Sequence, residues 1–253
     1  MSGDVQNVVI SNCVFIGTDR GIRLKSRRGR GGVVEDVRVS NLIMDGVLCP
    51  FTMNLYYGCG AWGDPLVSDK NHRPVDEGTP RFRRIHLSGI TARDVRLAAG
   101  FVYGLAEMPV EDVSLDDVTI SLAEEAEAGY PEMADDIPQM RQAGFYVRNA
   151  RNLHLQRVEI THPRGPAFDI ADSAGIDLCA CGSPAPDAAG PVVRLENVDG
   201  AFIHACRAPA EMKFFLQVEG ERTGAIVLSG NALADGAVRT GAGVPEDAVE
   251  FKK

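Results

Sequence analysis

The sequence lacks any long apolar run: nowhere in its 253 residues is there a stretch near the roughly 20 apolar residues that a membrane-spanning helix needs. Aromatic residues are scarce, at 6%, and Trp62 is the single tryptophan, which favours many short strands over packed helices. The first residues, MSGDVQNVVISNCVF, show no basic segment followed by an apolar core, so no export signal is visible. We expect no membrane partner. The compartment is left open: cytoplasmic if Met1 is the native start, secreted or periplasmic if the chain is truncated.

Positive charge is also in deficit, with 26 lysines and arginines against 35 aspartates and glutamates and a formal net charge of −9. A chain this acidic is a poor candidate for a nucleic-acid partner. The six cysteines lack metal-site spacing, because Cys179-Ala-Cys181 has one intervening residue rather than two and no matching pair follows. We expect no metal and no cofactor.

The positive charge that is present is concentrated in one segment. Ile22 and Leu24 alternate there with Arg23 and Lys25, so on a strand the two cations share one face, about 7 Å apart. A carboxylate would relieve their repulsion, since arginine can bind it through two hydrogen bonds while lysine adds a point charge. A solvated surface face is the alternative interpretation. Six cations fall within eleven residues that contain no acid: Arg20, Arg23, Lys25, Arg27, Arg28 and Arg30.

The chain also repeats itself. Each copy alternates polar and apolar residues with the period of a strand, and the phase slips at a central Asn, Gly or Asp, which predicts a tight corner between two short strands. Unequal spacing of the copies places variable loops at 58–80 and 122–140. This pattern predicts an all-β parallel β-helix over residues 1–228, followed by an irregular tail at 229–253. A β-sandwich and a leucine-rich horseshoe fit less well. The copies are residues 7–15, 36–44, 84–92, 112–120, 152–160 and, more degenerate, 194–202.

The repeats, together with Gly17-Thr-Asp-Arg-Gly-Ile-Arg-Leu-Lys25, resemble glycoside hydrolase family 28, the polygalacturonases and their relatives. Arg23-Leu24-Lys25 is similar to the family's arginine-isoleucine-lysine motif, with Leu24 in place of isoleucine. The family's tyrosine one coil later corresponds to Tyr57 rather than Tyr56. The resemblance therefore implies a right-handed parallel β-helix that binds galacturonate-containing pectic polysaccharide through Arg23, Lys25 and Tyr57. Weaker binding candidates are Arg20, Arg27, Arg28, Trp62 and His72.

The family's hydrolytic residues have no counterpart in this sequence. In the family, three aspartates and a Gly-His-Gly histidine precede the arginine–lysine motif, and those motifs do not occur before Arg23. The resemblance thus implies the C-terminal portion of a longer protein, or a start at an internal methionine, with little or no hydrolase activity alone. Asp116 and Asp117 alternate to opposite faces of a strand, and Asp135 and Asp136 lie in an acidic loop that we expect to be solvated. No catalytic residue is assigned, and whether the chain is an enzyme stays open.

The sequence also allows two other functions, and it predicts one mode of self-association. The chain is alternatively a non-catalytic β-helix that binds acidic polysaccharide. A polysaccharide lyase is a weaker alternative, because it would need several outward carboxylates near Arg23 and the sequence offers only Asp4 and Asp19 there. An uncapped first coil, with apolar residues such as Val8 and Ile10, predicts self-association through the end of the β-helix.

Overall fold

The computed structural model describes residues 3–187, 189–209, 212 and 214–252. One short helix, α1 (Pro65–Ser68), and the strands of two sheets make up the regular structure of this part of the chain. The strands in chain order are β1 (Val5–Ile16), β2 (Arg20–Lys25), β3 (Val33–Asp45), β4 (Cys49–Asn54), β5 (Arg81–Val95), β6 (Ala98–Tyr103), β7 (Val110–Leu122), β8 (Ala143–Arg148), β9 (Ala150–Thr161), β10 (Phe168–Ala171), β11 (Ala174–Cys179), β12 (Val193–Glu196), β13 (Asp199–His204), β14 (Leu216–Glu219), β15 (Gly224–Ser229), β16 (Val238–Thr240) and β17 (Val249–Lys252).

The strands form a right-handed parallel β-helix, which confirms the predicted fold class. Over the described residues the odd-numbered strands pair in the order β1 to β17 as sheet A, and the even-numbered strands pair in the order β2 to β16 as sheet B. Each coil crosses both sheets, and each strand pairs in parallel with its equivalent in the next coil. The residues that align the sequence repeats stack in one row, since Val8 pairs with Val37, Val37 with Ile85, Ile85 with Val113 and Val113 with Leu153.

The inward rows of the coils form one continuous core. In β3 the side chains of Val37, Val39, Leu42 and Met44 are at most 2% exposed, while their neighbours in sequence face outward. Burying each such side chain stabilises the fold by roughly 1.5–3 kcal/mol relative to leaving it in water. Each coil covers the apolar row of the next coil. The alternation of apolar and polar residues within each coil therefore favours stacking of the coils.

The corner predicted at the centre of the repeats is present in the first five copies. The sixth copy, residues 194–202, was aligned wrongly, because it runs from β12 in sheet B to β13 in sheet A and its central Asp199 has no left-handed backbone. Asn12, Asn41, Asp117 and Arg157, all at that central position, adopt left-handed backbone conformations with φ of 57°, 54°, 57° and 50°. Gly89 takes the same position in β5, with φ of 59°. Asn, Asp and Gly tolerate this region better than other residues, so the phase slip in the sequence is the signature of this turn.

The C-terminal segment differs from the predicted irregular tail at 229–253. It carries β16, which pairs with β14 through Leu216 and Val238, and β17, which pairs with β15 through Ile226 and Val249. These strands are only three and four residues long, too short to give a clear alternation in the sequence. They form because the preceding coil supplies a ready edge for pairing.

The other end of the described stack is formed by β1. This strand pairs only with β3 among the described strands, and its inward residues Val8 and Ile10 are only partly buried. Self-association through this end remains a prediction. No helix within the described residues is long and apolar enough to cross a membrane.

Candidate functional site

The outer face of sheet B carries the two cations singled out by the sequence. In β2, Ile22 points into the core and is 5% exposed. Because side chains alternate along a strand, Arg23 and Lys25, one and three residues later, face outward. Register pairs Arg23 with Thr52 and Lys25 with Asn54 on β4, so the outer face continues from the cations onto two neutral polar side chains. The predicted placement of Arg23 and Lys25 on one face is therefore observed.

Tyr57 joins the two cations into one cluster. The Lys25 ammonium donates a hydrogen bond to the Tyr57 hydroxyl at 3.0 Å and lies 4.2 Å from the centre of its ring. The Arg23 guanidinium lies 5.3 Å from the same ring. Tyr56, the rejected alternative, is fully buried, and burial raises the pKa of its hydroxyl to about 12. The structure thus brings together all three residues that the family resemblance implied for binding.

A carboxylate that the sequence analysis missed also lies at this cluster. The Glu132 oxygens accept two hydrogen bonds from Arg23, from Nε at 2.7 Å and from Nη2 at 3.0 Å. They also accept from the Thr52 hydroxyl at 3.1 Å, the Asn54 amide at 3.5 Å and the Met133 backbone N–H at 3.2 Å. Glu132 is only 1% exposed. The hydrogen bond to Glu132 raises the pKa of Arg23 above its ordinary value, so this guanidinium stays charged but is paired within the chain.

The segment that carries Glu132 crosses the outer face of sheet B. This loop, residues 123–142, meets the loop after β4, residues 55–80, where the Gly58 N–H donates to the Met133 carbonyl at 2.8 Å. A second link runs from the Gly63 N–H to the Asp135 carboxylate at 3.0 Å. Asp135 had been expected in a solvated loop. Instead, the two loops form a bridge over Thr52 and Asn54, which are fully buried beneath it.

Two weaker candidates lie beside the cluster and are engaged with loop backbone. Arg20 donates to the Tyr130 carbonyl at 3.0 Å, and its Nε lies 3.6 Å from Glu132. Arg27 donates to the Cys59 carbonyl at 2.7 Å. Both side chains hold the loops in place, and Arg20 adds positive charge next to Glu132.

Arg28, the next candidate, is buried under the 55–80 loop and does not contact Arg23 or Lys25. It is 5% exposed and forms a buried ion pair with Glu107, with its Nε 2.6 Å from the carboxylate. This position makes Arg28 an anchor of the 55–80 loop rather than a substrate-binding residue. Its Nη atoms donate to the backbone carbonyls of Leu66, Asp69 and Asn71.

Trp62 and His72 lie on different parts of the outer surface. Trp62 is 54% exposed and packs on Gly58, where an added Cβ would lie 3.0 Å from its ring. It therefore adjoins Tyr57 through the backbone and presents a free ring face. His72 is exposed and lines a separate depression farther along sheet B. The other residues of that depression include Lys70, Tyr103, Arg148 and Arg222.

Among the other described acids, Asp19 lies close enough to Arg23 for its charge to raise the Arg23 pKa, but no ion pair or hydrogen bond joins the two side chains. Asp116, on sheet A, pairs with Arg157 at 2.7 Å, and Asp135 binds the Gly63 backbone. No group of three or more His, Cys, Asp or Glu side chains within the described residues is arranged to hold a metal ion. Glu132 had a sequence signal that was not used: it stands in Tyr130-Pro-Glu-Met133, between apolar residues, unlike the other acids of its loop.

Comparison with known proteins identifies the family of this chain. The family model of glycosyl hydrolases family 28 matches residues 1–129, which include Arg23, Lys25 and Tyr57. The chain therefore belongs to glycosyl hydrolases family 28. The match ends before Glu132.

Two curated relatives are polygalacturonases by name. A probable polygalacturonase of Vitis vinifera is 32% identical over 126 residues, which is 50% of this chain and 24% of the relative. An endo-polygalacturonase of Pectobacterium carotovorum subsp. carotovorum is 38% identical over 53 residues, 21% of this chain and 13% of the relative. The chain thus spans about a quarter or less of these relatives. No solved structure matches it.

Proposed function

We propose that this chain contributes the substrate-binding side of a polygalacturonase-type glycoside hydrolase that acts on galacturonate-containing pectic polysaccharide. The observation that carries the proposal is the Lys25–Tyr57 pair on the outer face of sheet B, 3.0 Å apart, within the segment that matches the family. Lys25 is exposed, so an anionic ligand can reach its ammonium group.

The pair offers two kinds of donor to an acidic sugar. An ammonium group has three N–H donors, and one of them goes to Tyr57, so two remain for a sugar carboxylate. Tyr57 is 7% exposed, and because its oxygen accepts from Lys25, its own O–H can donate to a sugar oxygen that reaches this edge of the cluster. The exposed face of Trp62 adds a surface on which the apolar side of a sugar ring can stack.

The same geometry argues for little hydrolysis by this chain alone. Inverting hydrolysis needs a carboxylic acid and a carboxylate roughly 6.5–9.5 Å apart across the scissile bond. Within the described part of the chain, the carboxylate hydrogen-bonded to the cluster is Glu132, and both of its oxygens are held by Arg23, Thr52 and Asn54. We therefore expect negligible release of reducing ends from polygalacturonate. Release at an ordinary enzymatic rate that Arg23→Ala abolishes would contradict this part of the proposal.

The binding proposal is tested by calorimetric titration with trigalacturonate and, for comparison, with neutral galactotriose. Lys25→Ala should weaken trigalacturonate binding about 10- to 100-fold, because a hydrogen bond to a charged group contributes roughly 1.5–3 kcal/mol. The matched control is Arg93→Ala, which removes a 60% exposed cation from sheet A and should leave binding unchanged. Equal affinity for the acidic and neutral trisaccharides, or no effect of Lys25→Ala, would overturn the proposal.

A non-catalytic binding module is the second candidate, and the pairing of Glu132 favours it. Both candidates give salt-sensitive binding of trigalacturonate to this chain. They differ when the chain is combined with a catalytic segment of a family 28 enzyme: a hydrolase part should then increase the rate of reducing-end release, and a binding module should not.

A further inference from the structure

Glu132 holds Arg23 in the way that a bound sugar acid would hold it. Two N–H···O bonds, at 2.7 and 3.0 Å, join Nε and Nη2 of the guanidinium to the two different carboxylate oxygens. This is the geometry in which arginine recognises a carboxylate of any origin. One carboxylate fills the fork formed by Nε and Nη2, so a second carboxylate has no room to bind there in the same way.

The position of Glu132 is fixed by several independent contacts. Its oxygens also accept hydrogen bonds from Thr52 and Asn54, and Arg20 lies 3.6 Å away. Its loop is tied down on the far side through Gly58 and Met133. The side chain is fully buried, so the carboxylate is part of the folded site and not a surface contact.

We infer that Glu132 is a specificity-determining residue that fills the carboxylate position of Arg23 and so prevents Arg23 from binding an acidic sugar. This inference rests on the proposed function of the Lys25–Tyr57 pair. A sugar unit beside Arg23 is accepted through its hydroxyl groups, and a carboxylate placed there would face the negative charge of Glu132. The acidic group of the ligand is therefore directed to Lys25, which is exposed and has no carboxylate partner among the described residues.

Removing the charge of Glu132 tests the inference. Glu132→Gln keeps the size of the side chain and should strengthen trigalacturonate binding about fivefold or more, because the guanidinium is no longer neutralised. Binding of neutral galactotriose should not change. Glu132→Ala opens the whole position and provides a second variant if the glutamine variant does not fold, as judged by circular dichroism.

Two further variants make the test specific. Arg23→Gln combined with Glu132→Gln removes both charges and should bring the affinity for trigalacturonate back to that of the wild type. Glu127→Gln removes an exposed acid from the same loop and should leave the affinity unchanged, which controls for a general effect of net charge.

The outcomes separate this inference from the proposed function. If the wild-type chain binds trigalacturonate through Lys25 and Glu132→Gln does not bind it more tightly, the inference is wrong and the proposed function stands. If Glu127→Gln gives the same gain as Glu132→Gln, the effect is one of net charge and the inference is again wrong. If no variant binds trigalacturonate, both fail.

Discussion

At the residue scale, Lys70 shows how the bridging loops place charge against sheet B. Its ammonium lies 3.8 Å from the centre of the Tyr56 ring and 5.1 Å from that of Tyr103. Burial lowers the pKa of Lys70 from 10.5 to about 8, although Asp136 and Asp135 oppose the shift. The folded state therefore binds the Lys70 proton more weakly than the unfolded state does.

This shift gives a pH-dependent stability. Below about pH 8 Lys70 is charged in both states and destabilises the fold; as the pH rises from 8 toward 10.5 the folded state loses the proton first, so stability rises. Lys70→Met should raise the free energy of unfolding at pH 7 by about 1–2 kcal/mol, the full shift being reduced because the group is partly exposed. Urea unfolding should show a smaller increase in the free energy of unfolding for Lys70→Met at pH 10 than at pH 7. Lys252→Met, at an exposed lysine, is the control, and a gain that stays constant with pH would contradict the argument.

Sequence reasoning predicted the placement of the candidate residues that lie on strands or directly after them, and their role in binding stays a prediction. Alternation placed Arg23 and Lys25 on one face, and the family resemblance selected Tyr57. It could not find Glu132, because its partner Arg23 is 109 residues away and the path between them depends on how two irregular loops fold. It overestimated Arg28 for the same reason, since its buried partner Glu107 lies in another turn.

At the element scale, the corner within each long strand of sheet A requires a left-handed backbone conformation, and some coils have a residue there that adopts it at a cost. Arg157 in β9 has φ of 50°, a conformation that costs most residues about 1–2 kcal/mol. Its ion pair with Asp116 is about half exposed and stabilises little. The equivalent positions in other coils carry Asn, Asp or Gly, except for Ala180 and Ala205, whose φ values are 53° and 54°.

A glycine at this corner should therefore stabilise the protein. Arg157→Gly should raise the free energy of unfolding by about 0.5–1 kcal/mol, because glycine adopts positive φ without strain. Arg151→Gly is the matched control: it lies in the same strand, is also exposed and paired, with Glu111 at 3.3 Å, but has an ordinary negative φ. It should destabilise by a similar amount. Thermal unfolding of both variants measures the difference, and changes of the same sign would contradict this account of the corner.

Elements were predictable from the sequence where they repeat and not where they vary. The phase slip at residues such as Asn12 and Asn41 predicted the corners, and the repeated apolar positions predicted that the coils stack. β16 and β17 were missed because their few residues are strands only in the presence of β14 and β15. The bridge between the 55–80 and 123–142 loops was missed because each of its two links uses a backbone N–H of one loop, at Gly58 and Gly63, and the side-chain pattern does not encode such contacts.

At the scale of the whole molecule, a stack of coils loses stability toward its ends. β7 pairs on both sides, with β5 and β9, whereas β1 pairs only with β3 among the described strands. Hydrogen exchange followed by mass spectrometry should therefore show the slowest exchange in β5, β7 and β9 and the fastest in β1 and β17. Exchange in β1 that slows as protein concentration rises would support the predicted self-association through this end. Uniform protection from β1 to β7 would contradict the nearest-neighbour description.

The central claim is that a sugar carboxylate binds at Lys25 while Arg23 remains hydrogen-bonded to Glu132. A crystal structure with trigalacturonate bound measures this directly. The expected result is a carboxylate oxygen about 3 Å from the Lys25 ammonium, with the Glu132–Arg23 hydrogen bonds intact. A carboxylate seated on Arg23 with Glu132 displaced, or a ligand bound away from sheet B, would contradict it.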